Sequence, residues 1–368
     1  MRVAMRVGVM GAGQLGRMLA LAGIPLGIRF VFFAPKPSAS AQEVGDVMLG
    51  AWDDEKALTR FAESVDVVTY EFENVPGSAT DIVARSCAVW PPRGALMLTQ
   101  DRLHEKETFQ SLGIPVAPYA PVNSAEELRA AIARVGAPGI LKTRRFGYDG
   151  KGQVRVDTPE AADAAWGAIG GVPLIYERVV QFTRELSVLA VRASDGTRVV
   201  YPIVENRHRQ GILRCSMALA TGMDDAKRIA AEAYATALLD SLNYVGVFAL
   251  ELFDTDFGLV ANEMAPRVHN SGHWTIEGAE TSQFENHVRA VCGLPLGDCA
   301  PVGCSAMFNI IGKEPDIAHV LAIPDVHVHM YGKSERPGRK LGHITVRTRT
   351  PRELSERVAA LGAITTIS

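Results

Sequence analysis

Apolar and polar positions follow two rhythms over residues 1 to 90. The runs MRVGVM, RFVFFA and VDVVTYEF are short and rich in apolar residues, and they read as strands. Between them, QLGRMLALAG and DDEKALTRFAESV carry the helical period, with Leu58, Phe61, Ala62 and Val65 on one face. Strand and helix alternating in this way predict a parallel α/β unit. Trp90-Pro91-Pro92-Arg93-Gly94 punctuates its end.

From about residue 100 the texture changes. Ser124 and Glu127 form a capping box ahead of the apolar stripe Leu128, Ala131, Ile132 and Val135, which stops at Gly136. APGILKT and QVRVD then read as strands on either side of the glycine-rich turn RRFGYDGKGQ. LIYERVV and ELSVLAVRA follow as strands, and a long helix covers about 224 to 242. GVFALELF and GLVANEM are strands joined by a short turn. Short strands and a helix over PRELSERVAALG complete the pattern. No internal repeat or low-complexity segment interrupts it.

Composition narrows the class. A chain of 368 residues with a net charge of −3 has no basic nucleic-acid footprint. No apolar run reaches the roughly 18 residues of a membrane helix, so no membrane partner is expected. The first apolar stretch is broken by Gly8, Gly11, Gly13 and Gly16, unlike a signal-peptide core. The 5 cysteines form no C-x-x-C pair. They read as reduced thiols in a cytoplasmic protein, without a disulfide framework or zinc site.

Gly11, Gly13 and Gly16 fit the G-x-G-x-x-G dinucleotide fingerprint. That reading also needs an acid at the tip of the second strand, to hold the ribose hydroxyls. RFVFFA ends in Ala34-Pro35-Lys36, and the next acids, Glu43 and Asp46, come too late. What survives is an anion held at a helix N-terminus, or a tight turn without a ligand. Asp256-Phe257-Gly258 lacks the catalytic loop of a kinase, and Gly150-Lys151-Gly152 lacks Walker A spacing.

Chemistry concentrates in three later segments. If the turn of the GVFALELFDTDFGLVANEM hairpin centres on Phe257, Glu251 and Glu263 oppose each other across it. Opposed like charges repel unless a divalent cation lies between them, and two carboxylates plus phosphate oxygens suit Mg2+. Lys142 ends a strand, and Gly147, Gly150 and Gly152, with Lys151, let a loop approach polyphosphate. Arg267, His269, Asn270, Ser271 and His273 crowd one short loop, where the Arg267 fork fits a small planar oxyanion. The competing readings are solvent-facing glutamates, a plain flexible hairpin and structurally bonded histidines.

These residues sit in a wider set: GAGQLGRML, YEFENVP, QDR, KTRRFGYDGKGQ, VENRH, APRVHNSGHWT, SQFENHVRAV with GLPLG, and YGKSERPGRKLGH. In that order the chain resembles the N5-carboxyaminoimidazole ribonucleotide synthetase family of ATP-grasp enzymes, nearly end to end. The resemblance implies an α/β and α+β architecture. A Rossmann-like pre-ATP-grasp domain would cover 1–99, and an ATP-grasp domain 100–298 with a mobile subdomain about 118–185. A small β-rich domain would cover 299–368. It implies that Arg102, Lys142 and the loop Gly147, Tyr148, Asp149, Gly150, Lys151, Gly152 and Gln153 hold ATP phosphates. Glu177, Arg178, Val179 and Val180 would line the adenine slot, Glu185 would take the ribose, and His208 and Asn262 would complete the site. Glu251 and Glu263 would bind Mg2+, and Arg267, His269 and Asn270 bicarbonate. Gln14, Leu15, Glu73, Lys333, Arg339 and Lys340 would hold aminoimidazole ribonucleotide.

The implied reaction carboxylates that ribonucleotide with ATP and bicarbonate through carboxyphosphate, in a homodimer. Leu219, Val268 and Leu341 depart from residues common in the family. N-E-M-A stands where many ATP-grasp chains have E-x-N, which leaves a third protein ligand to the metal open. The rival readings are another ATP-grasp ligase such as a formate-dependent glycinamide ribonucleotide transformylase, an NAD-dependent dehydrogenase, and an inactive nucleotide-binding scaffold.

Overall fold

The computed structural model describes residues 5–147, 151–220 and 222–364. Among them the strands form three sheets. The first takes β1 (Arg6–Met10), β2 (Arg29–Ala34), β3 (Asp46–Leu49), β4 (Val67–Tyr70) and β5 (Ala88–Val89) in the order β3-β2-β1-β4-β5. Every neighbouring pair is parallel. The alternation within RFVFFA explains its unbroken hydrophobicity. Phe30 and Phe32 pack with Leu15 and Leu19 of helix Gln14–Gly23, while Val31 and Phe33 pack with Leu58 and Phe61 of helix Glu55–Glu63. Each such fully buried side chain contributes about 1.5–3 kcal/mol.

The second sheet is antiparallel. It contains β6 (Tyr119–Val122), β7 (Gly139–Thr143), β8 (Gln153–Val156) and β9 (Leu174–Arg178), in the order β6-β9-β7-β8. Helix Ala125–Val135 covers it, burying Leu128 and Ile132 against Leu141 and Tyr176. Its capping box is displaced by one residue. Ser124 accepts from the Glu127 amide at 3.1 Å, but the Glu127 carboxylate accepts from Asn123 N–H at 2.7 Å.

The third sheet is the largest, with nine strands. It holds β10 (Arg184–Arg192), β11 (Arg198–Val200), β12 (Val204–Arg209), β13 (Ile212–Ala218), β14 (Gly246–Thr255), β15 (Gly258–Ala265), β16 (Cys304–Ile311), β17 (Val326–Met330) and β18 (Lys340–Thr348). The order is β15-β14-β10-β12-β13-β16-β18-β17, with β11 beside β10. Helix Asp225–Ser241 covers Phe248 and Leu250, and helix Gln283–Val291 covers Leu189 and Val247 on the opposite face. Because β13 pairs with β16, Cys215 opposite Phe308, residues on both sides of position 299 share this sheet. Among the described residues no helix is long and apolar enough to cross a membrane.

Candidate active site

The sheets meet around a cleft of about 1020 Å³. Its walls carry Gln14 and Leu15 from helix Gln14–Gly23, Glu73 from the loop after β4, and Lys142, Gly147, Lys151 and Gln153 around the β7–β8 turn. Arg102, Glu185, His208, Glu251, Asn262 and Glu263 line its middle, and Arg267, His269 and Asn270 adjoin them. Lys333, Arg339 and Lys340 close the far side. Gly152, Glu177, Arg178, Val179 and Val180 do not line it. Tyr148, Asp149 and Gly150 lie outside the described residues.

The carboxylate hairpin reaches the expected juxtaposition by a different register. Its turn is Asp256-Phe257, between the paired residues Thr255 and Gly258. Continued unbroken, that register would set Glu251 opposite Asn262 and send Glu263 to the other face. A bulge intervenes: Leu252 faces Ala261 and Leu250 faces Met264, so Asn262 and Glu263 together oppose Glu251. The extra residue turns Glu263 into the cleft that Glu251 also lines. Burial and the neighbouring Glu263 raise the Glu251 carboxyl above its ordinary range. Burial acts upward on Glu263 too, but Arg102, 3.0 Å away, holds it low. Asn262 Nδ2 reaches Glu251 Oε2 only at 3.4 Å. Two opposed carboxylates lining the cleft, one of them raised, fit a divalent cation. Among the described residues no third His, Cys, Asp or Glu completes a protein-only cage. The set therefore suits an ion that takes its remaining ligands from phosphate oxygens and water.

Behind this hairpin lies a buried charge cluster. Lys142, at the end of β7, sits 3.1 Å from Glu177 Oε2, and Lys106 lies 3.4 Å from the same oxygen. Burial works against the Glu177 carboxylate, yet Lys106, Lys142 and Arg102 overcome it and bring the group to about 2. Glu177 Oε1 is buried and has no hydrogen-bond partner among the described residues. Lys106 also donates to the Asn262 carbonyl at 2.7 Å, pinning the bulged strand. Burial lowers the Lys142 pKa despite Glu177. In the loop above, Gly152 has φ +70°, and a Cβ there would lie 2.7 Å from Thr143 Oγ1, so both conformation and space require glycine. Glu185 contacts His208 Nδ1 across the strands. Burial works against the His208 imidazolium, but the bond to Glu185 raises its pKa on balance.

The loop after β15 presents polar groups of defined orientation. Arg267 Nε donates to Glu73. Burial pushes Glu73 up, and Arg267 outweighs it, bringing the carboxyl to about 2. The Ser271 amide donates to His269 Nδ1 at 3.3 Å, which assigns the ring proton to Nε2. That Nε2 lies 3.5 Å from Glu251 Oε1. Burial first, then Arg267, lowers the His269 pKa to about 3, so the ring is neutral. Glu251 and Glu263, Lys142, and the Arg267–Asn270 loop thus share one cleft.

Comparison with known proteins bears on this arrangement. Residues 4–100 match the ribonucleotide synthetase preATP-grasp domain, 107–284 the ATP-grasp domain, and 305–357 the phosphoribosylaminoimidazole carboxylase C-terminal domain. The N5-carboxyaminoimidazole ribonucleotide synthase of Pseudomonas aeruginosa is 49% identical over 360 residues, covering 98% of this chain and 99% of that protein. The chain belongs to the N5-carboxyaminoimidazole ribonucleotide synthase family. The Thermus thermophilus synthetase structure is 53% identical, with a TM-score of 0.94 over 98% of each chain. The Aspergillus clavatus synthase, solved with ADP and 5-aminoimidazole ribonucleotide, is 31% identical, with a TM-score of 0.88 over 98% of this chain and 99% of that one.

Within this family architecture the opening glycine turn departs from the anion-site expectation. Gly13 N–H donates to Glu71 Oε1 at 2.5 Å, and Gly16 N–H to Glu71 Oε2 at 2.9 Å. A Cβ at Gly11 would lie 2.4 Å from Glu71 Cγ, and one at Gly13 would lie 2.6 Å from Glu71 Oε1. The glycines make room for the chain's own carboxylate. These two backbone donors are therefore filled by the chain itself. Gln14 instead reaches the cleft by its side chain, whose oxygen accepts from Lys333. Arg339 donates to Ser334 O at 3.1 Å and Ser334 Oγ at 2.8 Å.

Sequence reasoning missed Glu71, Glu105 and Lys106. Glu105 lines the cleft and accepts from Met264 N–H at 2.7 Å. Burial, then Glu263, pushes its carboxyl up to about 8. Helix Arg102–Ser111, which carries Glu105 and Lys106, is mostly polar, with only Leu103 and Phe109 apolar. A buried charge leaves no apolar periodicity, so only the run of charges in RLHEKE marked it.

Proposed function

We propose that this protein carboxylates the exocyclic amine of 5-aminoimidazole ribonucleotide, consuming ATP and bicarbonate and giving N5-carboxyaminoimidazole ribonucleotide, ADP and phosphate. The observation that carries this reading is the single cleft shared by Lys142, the Glu251–Glu263 pair and the Arg267–Asn270 loop, in a chain nearly collinear with the family.

In this reading ATP lies along the β7–β8 turn and β14–β15. Lys142, Arg102 and the 147–153 loop take its phosphates, Glu177 to Val180 its base, and Glu185 and His208 its ribose. Asn262 completes that site. Glu251 and Glu263 would hold Mg2+, which neutralises charge on phosphoryl oxygens. Bicarbonate binds at Arg267, His269 and Asn270. There it attacks the γ-phosphorus, the bond to ADP breaks, and carboxyphosphate forms. Arg267 meets the charge that develops on the transferring group, while neutral His269 supplies an Nε2–H donor without adding charge. Carboxyphosphate releases CO2 and phosphate, and the amine of the ribonucleotide forms the new N–C bond and loses a proton. Gln14, Leu15, Glu73, Lys333, Arg339 and Lys340 position that ribonucleotide. Residues 118–185 close over the cleft and exclude water, which protects the labile intermediate. A homodimer and a cytoplasmic location, implied by the family resemblance and the reduced cysteines, belong to the same proposal. Sedimentation tests the homodimer.

The decisive assay is ADP release from Mg-ATP and bicarbonate, with and without the ribonucleotide, followed by labelled carbon into the product. Ribonucleotide-stimulated, bicarbonate-dependent turnover is expected. ADP release that ignores the ribonucleotide, or that follows formate instead, overturns the assignment.

A further inference from the structure

Asn309 stands on β16, far along the chain from the loop that carries Asn270. The two side-chain amides form a reciprocal pair. Asn309 Nδ2 donates to Asn270 Oδ1 at 2.8 Å, and Asn270 Nδ2 donates back to Asn309 Oδ1 at 3.0 Å. Asn309 Nδ2 makes a second bond, to the main-chain carbonyl of Leu213 at 2.9 Å. Asn309 is 3% exposed, and Asn270 lines the cleft.

The polarity of this chain of bonds runs one way. A carbonyl oxygen only accepts, so Leu213 fixes which end of the Asn309 amide is nitrogen. With both Asn309 N–H groups committed, its oxygen and one N–H meet Asn270 and fix that amide in turn. Asn270 then gives its oxygen and one N–H to Asn309 and keeps its second N–H for the cleft. An N–H is what an oxyanion requires; the flipped amide would offer a lone pair and repel it. A second buried amide steadies the same loop. Gln283, fully buried, accepts from His269 N–H at 2.9 Å and donates to the His269 carbonyl at 2.6 Å. The loop is thus clamped at adjacent residues by helix Gln283–Val291 and by β16.

We infer that Asn309 is a positioning residue for the carboxyl-donor site, setting the Asn270 amide so that it presents a donor to bicarbonate. This rests on the function proposed above. Asn309 touches no reacting atom; it acts through Asn270.

The test compares Asn309→Asp and Asn309→Leu with the unsubstituted enzyme. Ionised Asp cannot donate to Leu213 or Asn270, so Asn270 rotates to donate to it and turns its oxygen to the cleft. Leu removes the orienting group without adding a charge. The expected result is a rise of about tenfold or more in the KM for bicarbonate, the scale of one lost hydrogen bond to a charged group. The KM values for ATP and the ribonucleotide should stay within about twofold, because no side chain assigned to either site bonds Asn309. An unchanged bicarbonate KM overturns the inference, as does a rise in all three constants together with a fall in Tm. Neutron diffraction of the unsubstituted protein reads the orientation without any variant: deuterium on the cleft side of Asn270 supports it, and oxygen there overturns it. Failure of the proposed function looks different, since the unsubstituted enzyme would then show no bicarbonate-dependent, ribonucleotide-stimulated ADP release.

Discussion

Two sets of carboxylates line the cleft, and they are built on different terms. At the opening turn, Glu71 accepts from the amides of Gly13 and Gly16, which offset part of the cost of its burial although its carboxyl is still raised. At the β14–β15 hairpin, Glu251 and Glu263 share a cleft, and burial with mutual repulsion drives Glu251 upward. In the first arrangement both carboxylate oxygens are hydrogen-bonded by backbone amides. The second leaves charge for a ligand to answer. A carboxylate whose donors are all protein groups serves the fold, whereas one whose compensation is missing marks where chemistry occurs.

The comparison breaks most visibly at the hairpin side. Glu263→Ala and Lys142→Ala are each expected to lower kcat on the order of 10²–10³-fold, the scale of one lost electrostatic stabiliser. Steady-state turnover with all substrates saturating measures it, and near-normal kcat in either variant removes that residue from the mechanism. The opening turn should answer in stability instead. Glu71→Ala strands one buried and one partly buried amide and is expected to cost about 2–4 kcal/mol in chemical denaturation. Glu71→Gln, which keeps an acceptor for one of them, should cost less. Equal losses from the two would mean that the carboxylate charge is what matters there.

Glu251→Gln sharpens the contrast further. It relieves repulsion with Glu263, so with chelator present it should stabilise the protein on the order of 1 kcal/mol while abolishing turnover. Loss of stability in that variant would show the pair to be structural. The smallest effect belongs to Glu105, whose carboxyl is raised from 4.5 to about 8. A raised carboxyl contributes stability that is full below the unfolded value and is lost as pH rises through the folded one. Glu105→Gln should therefore change Tm little at pH 4 and raise it by about 2 °C at pH 9. Thermal scans across that range test the sign.

How much of this was legible in the sequence differs between the same two places. The strands and helices around Gly11 to Gly16 follow from periodicity, and RFVFFA matches β2 residue for residue. The occupant of the turn did not, because Glu71 is distant in sequence and the glycine spacing that admits a pyrophosphate admits a carboxylate equally well. At the hairpin, the facing glutamates were anticipated from a turn centred on Phe257. The structure reaches that outcome from a two-residue turn and a bulge at Asn262-Glu263. The bulge is a tertiary matter: Lys106 and Glu105, from another helix, bond the backbone at Asn262 and Met264. Asn309 and Gln283 escaped notice for a related reason. A buried amide that orients a neighbour looks, in sequence, like any polar residue within an apolar strand or helix.

The continuity of the third sheet has a consequence for how the protein is made. Synthesis proceeds from the N-terminus, and units fold as they emerge. The parallel sheet of β1 to β5 can close early, Glu71 already seated under its glycines. The cleft cannot, since the segment before β18 supplies Lys333 and β18 supplies Lys340. Until those residues leave the ribosome, a nascent chain displays a finished first sheet beside a carboxylate hairpin whose far wall has not arrived. A chain interrupted before β16 keeps the scaffold and lacks the reaction chamber.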